Sequence, residues 1–293
     1  MKGIILAGGR GTRLYPVTLS TCKQLLPVFD KPLIYYPLSV LMQAGIRDVL
    51  IITTPEDLPR FQTLFKNGSH LGISIHYDVQ VEPKGIAEAF VIGADFIGKD
   101  TVCLILGDNL FYGHNMADVV RPCTELKEGC IVFGYEVSDP QRYGVIAFDD
   151  DGQIKDILEK PKDPPSSYAV TGLYFYDNSV IDIAKNLKPS KRGEYEITDV
   201  NVAYLQKRRL SVRLLDRGFA WLDTGTHDAL QKASCYVQTI QERQGIKIAC
   251  LEEIAYQQGF ISFEQLERLA QEASVSEYGQ YLQKLCFKTV FAH

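Results

Sequence analysis

The feature that most constrains the fold is an alternation in the first half of the chain. Short, wholly apolar runs are each followed by a helical pattern. Residues 3–7 form the first run and end at Gly8-Gly9. Residues 32–44 follow as an expected helix, with Pro32 in the first turn, Ile34, Leu38 and Leu41 on one face, and Gly45 as a stop. Val49-Leu50-Ile51-Ile52 is a second run, succeeded by a helix over about 55–65 and an alternating strand over 73–79. Residues 85–97 place Ile86, Phe90 and Ile97 on one helical face, and residues 102–106 form another apolar run, ending at Gly107-Asp108-Asn109. A strand that is apolar on both faces must be covered on both. The pattern therefore predicts an α/β chain with a Rossmann-like, mostly parallel central sheet flanked by helices.

Further along, residues 131–137, 144–148, 154–158 and 168–176 read as strands, with Asp150-Asp151-Gly152 as a hairpin turn, so the sheet is expected to be mixed. Helices are expected over 179–187 and 198–207, a strand over 210–215, and a long helix from the N-cap Thr226 to about 244. Residues 251–288 read as two or three amphipathic helices. There is no internal repeat and no hexapeptide array, which excludes a C-terminal solenoid.

Composition adds exclusions. With 293 residues, 46% of them hydrophobic, the chain is expected to be soluble and globular, neither disordered nor low-complexity. Its 31 Lys plus Arg against 36 Asp plus Glu give a net charge of −5, which argues against a nucleic-acid partner. Seven widely spaced cysteines without a C-x-x-C pair read as reduced thiols of a cytoplasmic protein. The start, Met1-Lys2-Gly3-Ile4, does not read as a signal peptide, and no run approaches the ~20 apolar residues of a membrane span.

Three segments carry candidate chemistry. Leu6-Ala7-Gly8-Gly9-Arg10-Gly11-Thr12-Arg13-Leu14 follows the first strand, where glycine backbone N–H groups and an Arg fork can cradle phosphates. Its spacing matches neither a dinucleotide fingerprint nor a Walker A loop. Residues 1–29 contain Lys2, Arg10, Arg13 and Lys23, a local positive pole. Asp108 stands at the carboxyl end of an apolar strand, a position suited to a metal–phosphate site, with Asp223 as its best partner. Each of these aspartates reads equally as a turn or helix-start residue. Glu159-Lys160-Pro161 could serve a sugar phosphate, or could be a surface charge pair. None of the five histidines has metal-ligand spacing, and no Ser/His/Asp or Cys/His set suggests covalent catalysis.

Taken together, these motifs resemble those of the bacterial glucose-1-phosphate thymidylyltransferases, within the sugar nucleotidyltransferase superfamily. The resemblance runs through Ser20-x-x-Lys23-Gln24-Leu25-Leu26-Pro27, Tyr35-Tyr36-Pro37-Leu38-Ser39, Leu106-Gly107-Asp108-Asn109, Arg142-Tyr143-Gly144-Val145, Arg192-Gly193-Glu194 and Trp221-Leu222-Asp223-Thr224-Gly225-Thr226-His227. It implies that Leu6, Gly8, Gly9, Gly11, Thr12, Arg13 and Lys23 hold the dTTP phosphates, and that Gln24, Gln80, Pro83 and Gly85 contact the nucleoside. It implies Mg²⁺ on Asp108 and Asp223. It gives Asn109, Tyr143, Gly144, Glu159, Val170, Tyr174 and Trp221 to glucose, and Lys160 to the sugar phosphate. Arg13, Lys23, Asp108, Lys160 and Asp223 form the implied catalytic set.

The resemblance further implies a catalytic part over 1–245, with nucleotide binding in about 1–130 and sugar binding in about 131–225. Residues 246–293 would form a helical extension for subunit contacts in a homotetramer and for a second nucleotide site. Two departures stand out. Val81-Glu82 replaces the Pro-Ser of the family's nucleoside loop, and Gln257 stands where the family tends to have Arg. Rival expectations are a UTP- or ATP-using pyrophosphorylase, and a non-catalytic nucleotide-sugar sensor that would lack one of the basic or acidic site residues.

Overall fold

A computed structural model describes residues 1–9 and 11–291. The first half comprises β1 (Lys2–Leu6), a small hairpin of β2 (Pro27–Val28) and β3 (Lys31–Pro32), α1 (Tyr35–Gln43), β4 (Asp48–Thr53), α2 (Leu58–Phe65), β5 (Ser74–Val79), α3 (Glu88–Ile92), α4 (Ala94–Ile97) and β6 (Val102–Leu106). Then come β7 (Asn109–Gly113), α5 (Met116–Val120), β8 (Cys130–Glu136), β9 (Gly144–Phe148), β10 (Ile154–Glu159), β11 (Tyr168–Tyr176), α6 (Val180–Lys185) and α7 (Ile197–Gln206). The chain continues with β12 (Leu210–Leu214), β13 (Phe219–Asp223), α8 (His227–Gln244), α9 (Leu251–Gln257), α10 (Phe263–Glu272) and α11 (Glu277–Phe291).

The sheet has nine strands, in the order β10-β9-β11-β6-β1-β4-β5 with β8 and β12 branching from β11. Strands β6, β1, β4 and β5 are mutually parallel, whereas β11 runs antiparallel to β6 and β8. The mixed α/β architecture read from the sequence is therefore the observed one. The reason is visible in β1, whose successive residues enter two different cores. Ile5 packs with Leu38, Ile51 and Ile105 on one face, and Ile4 packs with Leu50, Phe90 and Leu104 on the other. Such double burial leaves no polar face for solvent.

Several boundaries differ from expectation. The first helix begins at Tyr35, because Pro32 is paired with Pro27 in the hairpin. Pro37 falls in its first turn instead, where a missing N–H forfeits no helical bond. The helix expected over 85–97 is divided at Gly93, which packs against Ile4 and Leu50 of the sheet. Thr226 caps α8 as expected, its hydroxyl accepting from the Ala229 N–H at 3.2 Å. Strands β7 and β13 were not anticipated. They pair only with each other, in register Asn109 opposite Asp223.

The C-terminal part forms three helices. Leu251, Ile254, Leu282 and Cys286 join the same core as Leu38 and Leu41 of α1. Cys235 is exposed and the other six cysteines are buried as free thiols. Among the described residues no helix is long and apolar enough to cross a membrane.

Candidate active site

The site lies at the carboxyl ends of the parallel strands, where β11 changes partners. Its far half pairs with β6 and its near half touches β9 through Ala169. Between them the Gly172 N–H donates to Asn109 Oδ1 at 3.2 Å, so a side chain takes the place of a ladder partner. A Cβ on Gly172 would come within 2.5 Å of that oxygen, which explains the glycine.

A cavity of 690 Å³ opens over this gap and a smaller one of 210 Å³ adjoins it. The larger is lined by Leu6, Gly8, Arg13, Gln80, Pro83, Gly85, Asp108 and Asp223, and by all eight of the expected sugar-site residues, Lys160 included. The smaller is lined by Gly9, Gly11, Thr12, Lys23 and Gln24, and shares Gly8, Arg13 and Asp108 with the first. Residues up to 217 positions apart thus meet in one continuous cleft. One expectation fails. Lys2 lies at the opposite end of β1 from the glycine loop and pairs with Asp48 at 3.0 Å, so it does not belong to the positive pole. Arg10 lies outside the described residues.

The two aspartates converge because β7 starts directly after β6 and because the β7–β13 register sets Asp223 opposite Asn109. Lys23 Nζ lies 2.8 Å from Asp108 Oδ2 and 3.9 Å from Asp223 Oδ1, so one cationic atom faces both carboxylates. Burial opposes ionisation of Asp108. The Lys23 charge, with hydrogen bonds from Lys23 and Asn109, outweighs it and holds the Asp108 carboxyl below the ordinary carboxylate range. Asn109 Nδ2 donates to Asp108 Oδ1 at 2.9 Å, while its Oδ1 accepts from Trp221 Nε1 at 2.6 Å. Two hard carboxylates, in cavities lined by no His or Cys among the described residues, suit a divalent cation such as Mg²⁺. Among the described residues no three His, Cys, Asp or Glu form a metal cluster, so the protein would supply few of the ligands, which suits Mg²⁺.

Among the residues expected to contact the sugar, Glu159 accepts at Oε2 from Thr198 Oγ1 at 2.6 Å, and Arg192 bridges Glu159 and Glu196 at 3.2 and 2.8 Å. Lys160 has a φ of 44°, a left-handed conformation that is unusual for a lysine and turns the chain sharply as β10 ends at the cavity. Among the residues expected to contact the nucleoside, Gln80 donates through Nε2 to Glu88 Oε2 at 2.7 Å, which fixes the amide's orientation. Gly85 has a φ of 114°, and a Cβ there would lie 2.4 Å from the Tyr195 carbonyl oxygen. Gln24 Oε1 is buried and lacks a hydrogen-bond partner within the described residues. Such a carbonyl favours a donor supplied by a ligand.

Sequence reasoning gave no role to Arg142, Arg192, Thr198 or Glu88. The first three lie in motifs of the resemblance, Thr198 in Glu196-Ile197-Thr198-Asp199. Glu88 had no signal, since its link to Gln80 depends on how the 81–87 loop folds back.

Comparison with known proteins agrees with this geometry. Residues 2–240 match the family model described as nucleotidyl transferase. The chain is 56% identical over 288 residues to a glucose-1-phosphate thymidylyltransferase of Neisseria meningitidis serogroup A, covering 98% of this chain and 100% of that one. It is 57% identical over 285 residues to the enzyme of the same name from Mycolicibacterium smegmatis, covering 97% and 99% respectively. A solved UDP-glucose pyrophosphorylase complexed with UDP-glucose superposes with a TM-score of 0.73 at 29% identity, covering 82% of this chain and 98% of that one. The chain therefore belongs to the nucleotidyl transferase family, and within it to the glucose-1-phosphate thymidylyltransferases.

Proposed function

We propose that the chain transfers the thymidylyl group of dTTP to α-D-glucose 1-phosphate, giving dTDP-glucose and pyrophosphate. The observation that carries the mechanism is the convergence of Asp108 and Asp223 on Lys23 where the two cavities meet. Arg13, Lys23 and the backbone of the 8–12 loop bind and neutralise the triphosphate. Gln80, Pro83, Gly85 and the unpaired Gln24 carbonyl receive the nucleoside. Glu159, oriented by Thr198, accepts from sugar hydroxyls, and Lys160 holds the sugar phosphate. Tyr143, Gly144, Val170, Tyr174 and Trp221 close around the sugar ring.

In this arrangement the phosphate oxygen of glucose 1-phosphate attacks the α-phosphorus in line. One P–O bond forms as the bond to pyrophosphate breaks, and no protein nucleophile or base is needed. Asp108 and Asp223 would hold Mg²⁺, which when bound would offset phosphate repulsion and stabilise charge on the leaving group. On the same reading, residues 1–245 are the catalytic part and the helices from 246 build a homotetramer and a second nucleotide site. The enzyme is cytoplasmic, and its product feeds dTDP-rhamnose or a related deoxysugar.

The test is pyrophosphate release across dTTP, UTP and ATP with glucose 1-phosphate, with and without Mg²⁺. Turnover should be fastest with dTTP and should require the metal. Equal or better rates with UTP would assign the chain to the pyrophosphorylases that its structural neighbour represents. Asp108→Asn should abolish turnover with the fold intact, and near-normal activity in that variant would refute the metal role.

A further inference from the structure

Asp223 is engaged on both oxygens by basic groups of different mobility. Lys23 faces Oδ1 at 3.9 Å from a side chain only 7% exposed. Arg142 Nη2 donates to Oδ2 at 2.9 Å from a side chain that is 40% exposed. Arg142 also has an anchor that does not depend on Asp223, because its Nη1 donates to Asp139 Oδ2 at 2.8 Å within the same short turn. Withdrawing Lys23 from the carboxylates would leave a buried ammonium unpaired, which is costly. Withdrawing Arg142 leaves it paired with Asp139 and in contact with water.

We propose that Arg142 is the displaceable counter-ion of Asp223: it competes with a divalent cation for Oδ2 and gives way by swinging outward on its Asp139 anchor. The inference rests on the reading of Asp223 as a metal ligand. Its consequence is that the free protein holds the cation weakly, because one ligand oxygen is already committed to a guanidinium. Anionic phosphates entering beside Arg13 favour the exchange, since they attract the released guanidinium and the incoming cation alike. Arg142 is thus a positioning residue that sets metal affinity, with no need to touch the reacting atoms.

The chain's single tryptophan supplies a reporter. The Arg142 guanidinium lies over the Tyr143 ring at 5.4 Å, and that ring is 5.0 Å from Trp221. The experiment measures Mn²⁺ affinity of the substrate-free full chain from the electron paramagnetic resonance signal of free Mn²⁺, and follows Trp221 emission during Mg²⁺ titration. Arg142→Gln should bind Mn²⁺ about 1.5- to 5-fold more tightly than the parent chain, as expected for removing a partly exposed competing charge. Arg142→Lys, which keeps the charge but not the two-ended fork, should bind between the parent chain and Arg142→Gln, and adding Asp223→Asn to Arg142→Gln should erase the gain. Mg²⁺ should change Trp221 emission in the parent chain and far less in Arg142→Gln. If Arg142→Gln, folded by thermal unfolding, binds like the parent while Asp223→Asn alone weakens binding, the competition is refuted and the metal reading stands. If Asp223→Asn alone leaves Mn²⁺ binding unchanged, the metal reading falls and the competition falls with it.

Discussion

At the scale of single residues, Asn109 holds the site together from below. Its Oδ1 accepts from both Trp221 Nε1 and the Gly172 N–H, and its Nδ2 orients Asp108. Asn109→Ala removes the acceptor for two buried donors, each costing about 1–3 kcal/mol if left unpaired. The variant should lose about 2 kcal/mol or more of unfolding free energy in urea. It should also lower kcat more than it raises KM for glucose 1-phosphate, because the Asp108 carboxylate loses its orientation. Unchanged stability with only a raised KM would mean that Asn109 is a simple sugar contact. The family resemblance marked Asn109, but two of its three internal bonds are to residues 63 and 112 positions away, and only the third is to its neighbour Asp108.

At the scale of elements, the decisive unit is the β7–β13 ribbon. Neither strand alternates clearly in sequence, and each is stabilised by the other, so local patterning was silent about them. By contrast, α8 is announced in the sequence by its Thr226 cap, and α10 has a cap that the structure reveals. In α10, Ser262 Oγ accepts from the Gln265 N–H at 3.3 Å, and Gln265 Oε1 accepts from the Ser262 N–H at 3.1 Å, a reciprocal box. Ser262→Ala should cost about 0.5–2 kcal/mol in chemical denaturation, the usual range for a lost cap. It should leave the KM for dTTP unchanged, since α10 takes no part in either cavity. A shifted KM would tie the C-terminal helices to the site.

At the scale of the whole molecule, acid sensitivity should trace to buried carboxylates that the fold keeps ionised. Asp177, 6% exposed, follows β11 and accepts from Ser179, Tyr204 and the Gly129 N–H. Burial opposes its ionisation, but these donors outweigh it and hold its carboxyl below the ordinary range. A depressed folded pKa contributes stability above the unfolded value near ~3.9, and that contribution is lost as pH falls through the folded value. Asp177→Asn should therefore lower Tm at pH 7, and the gap to the parent chain should narrow steadily below about pH 4. A constant gap across that range, measured by calorimetry, would assign the effect to packing. Net charge behaves differently: −5 for the chain says little about a cleft where Arg13, Lys23, Arg142, Lys160 and Arg192 converge.

The amino-acid sequence alone determined the α/β class, the parallel half of the sheet and the glycine-rich loop that follows the first strand. Each rests on interactions between near neighbours or on a periodicity that any burial must respect. Thr226 and the strand-end Asp108 were legible for the same reason. Only the tertiary structure decided that Lys2 leaves the positive pole, that Lys23 sits between Asp108 and its expected partner Asp223, and that Arg142 holds Asp223. Those relations join segments far apart in sequence through strand register and side-chain reach. Neither leaves a local pattern, because it is closure of the chain that brings such segments together.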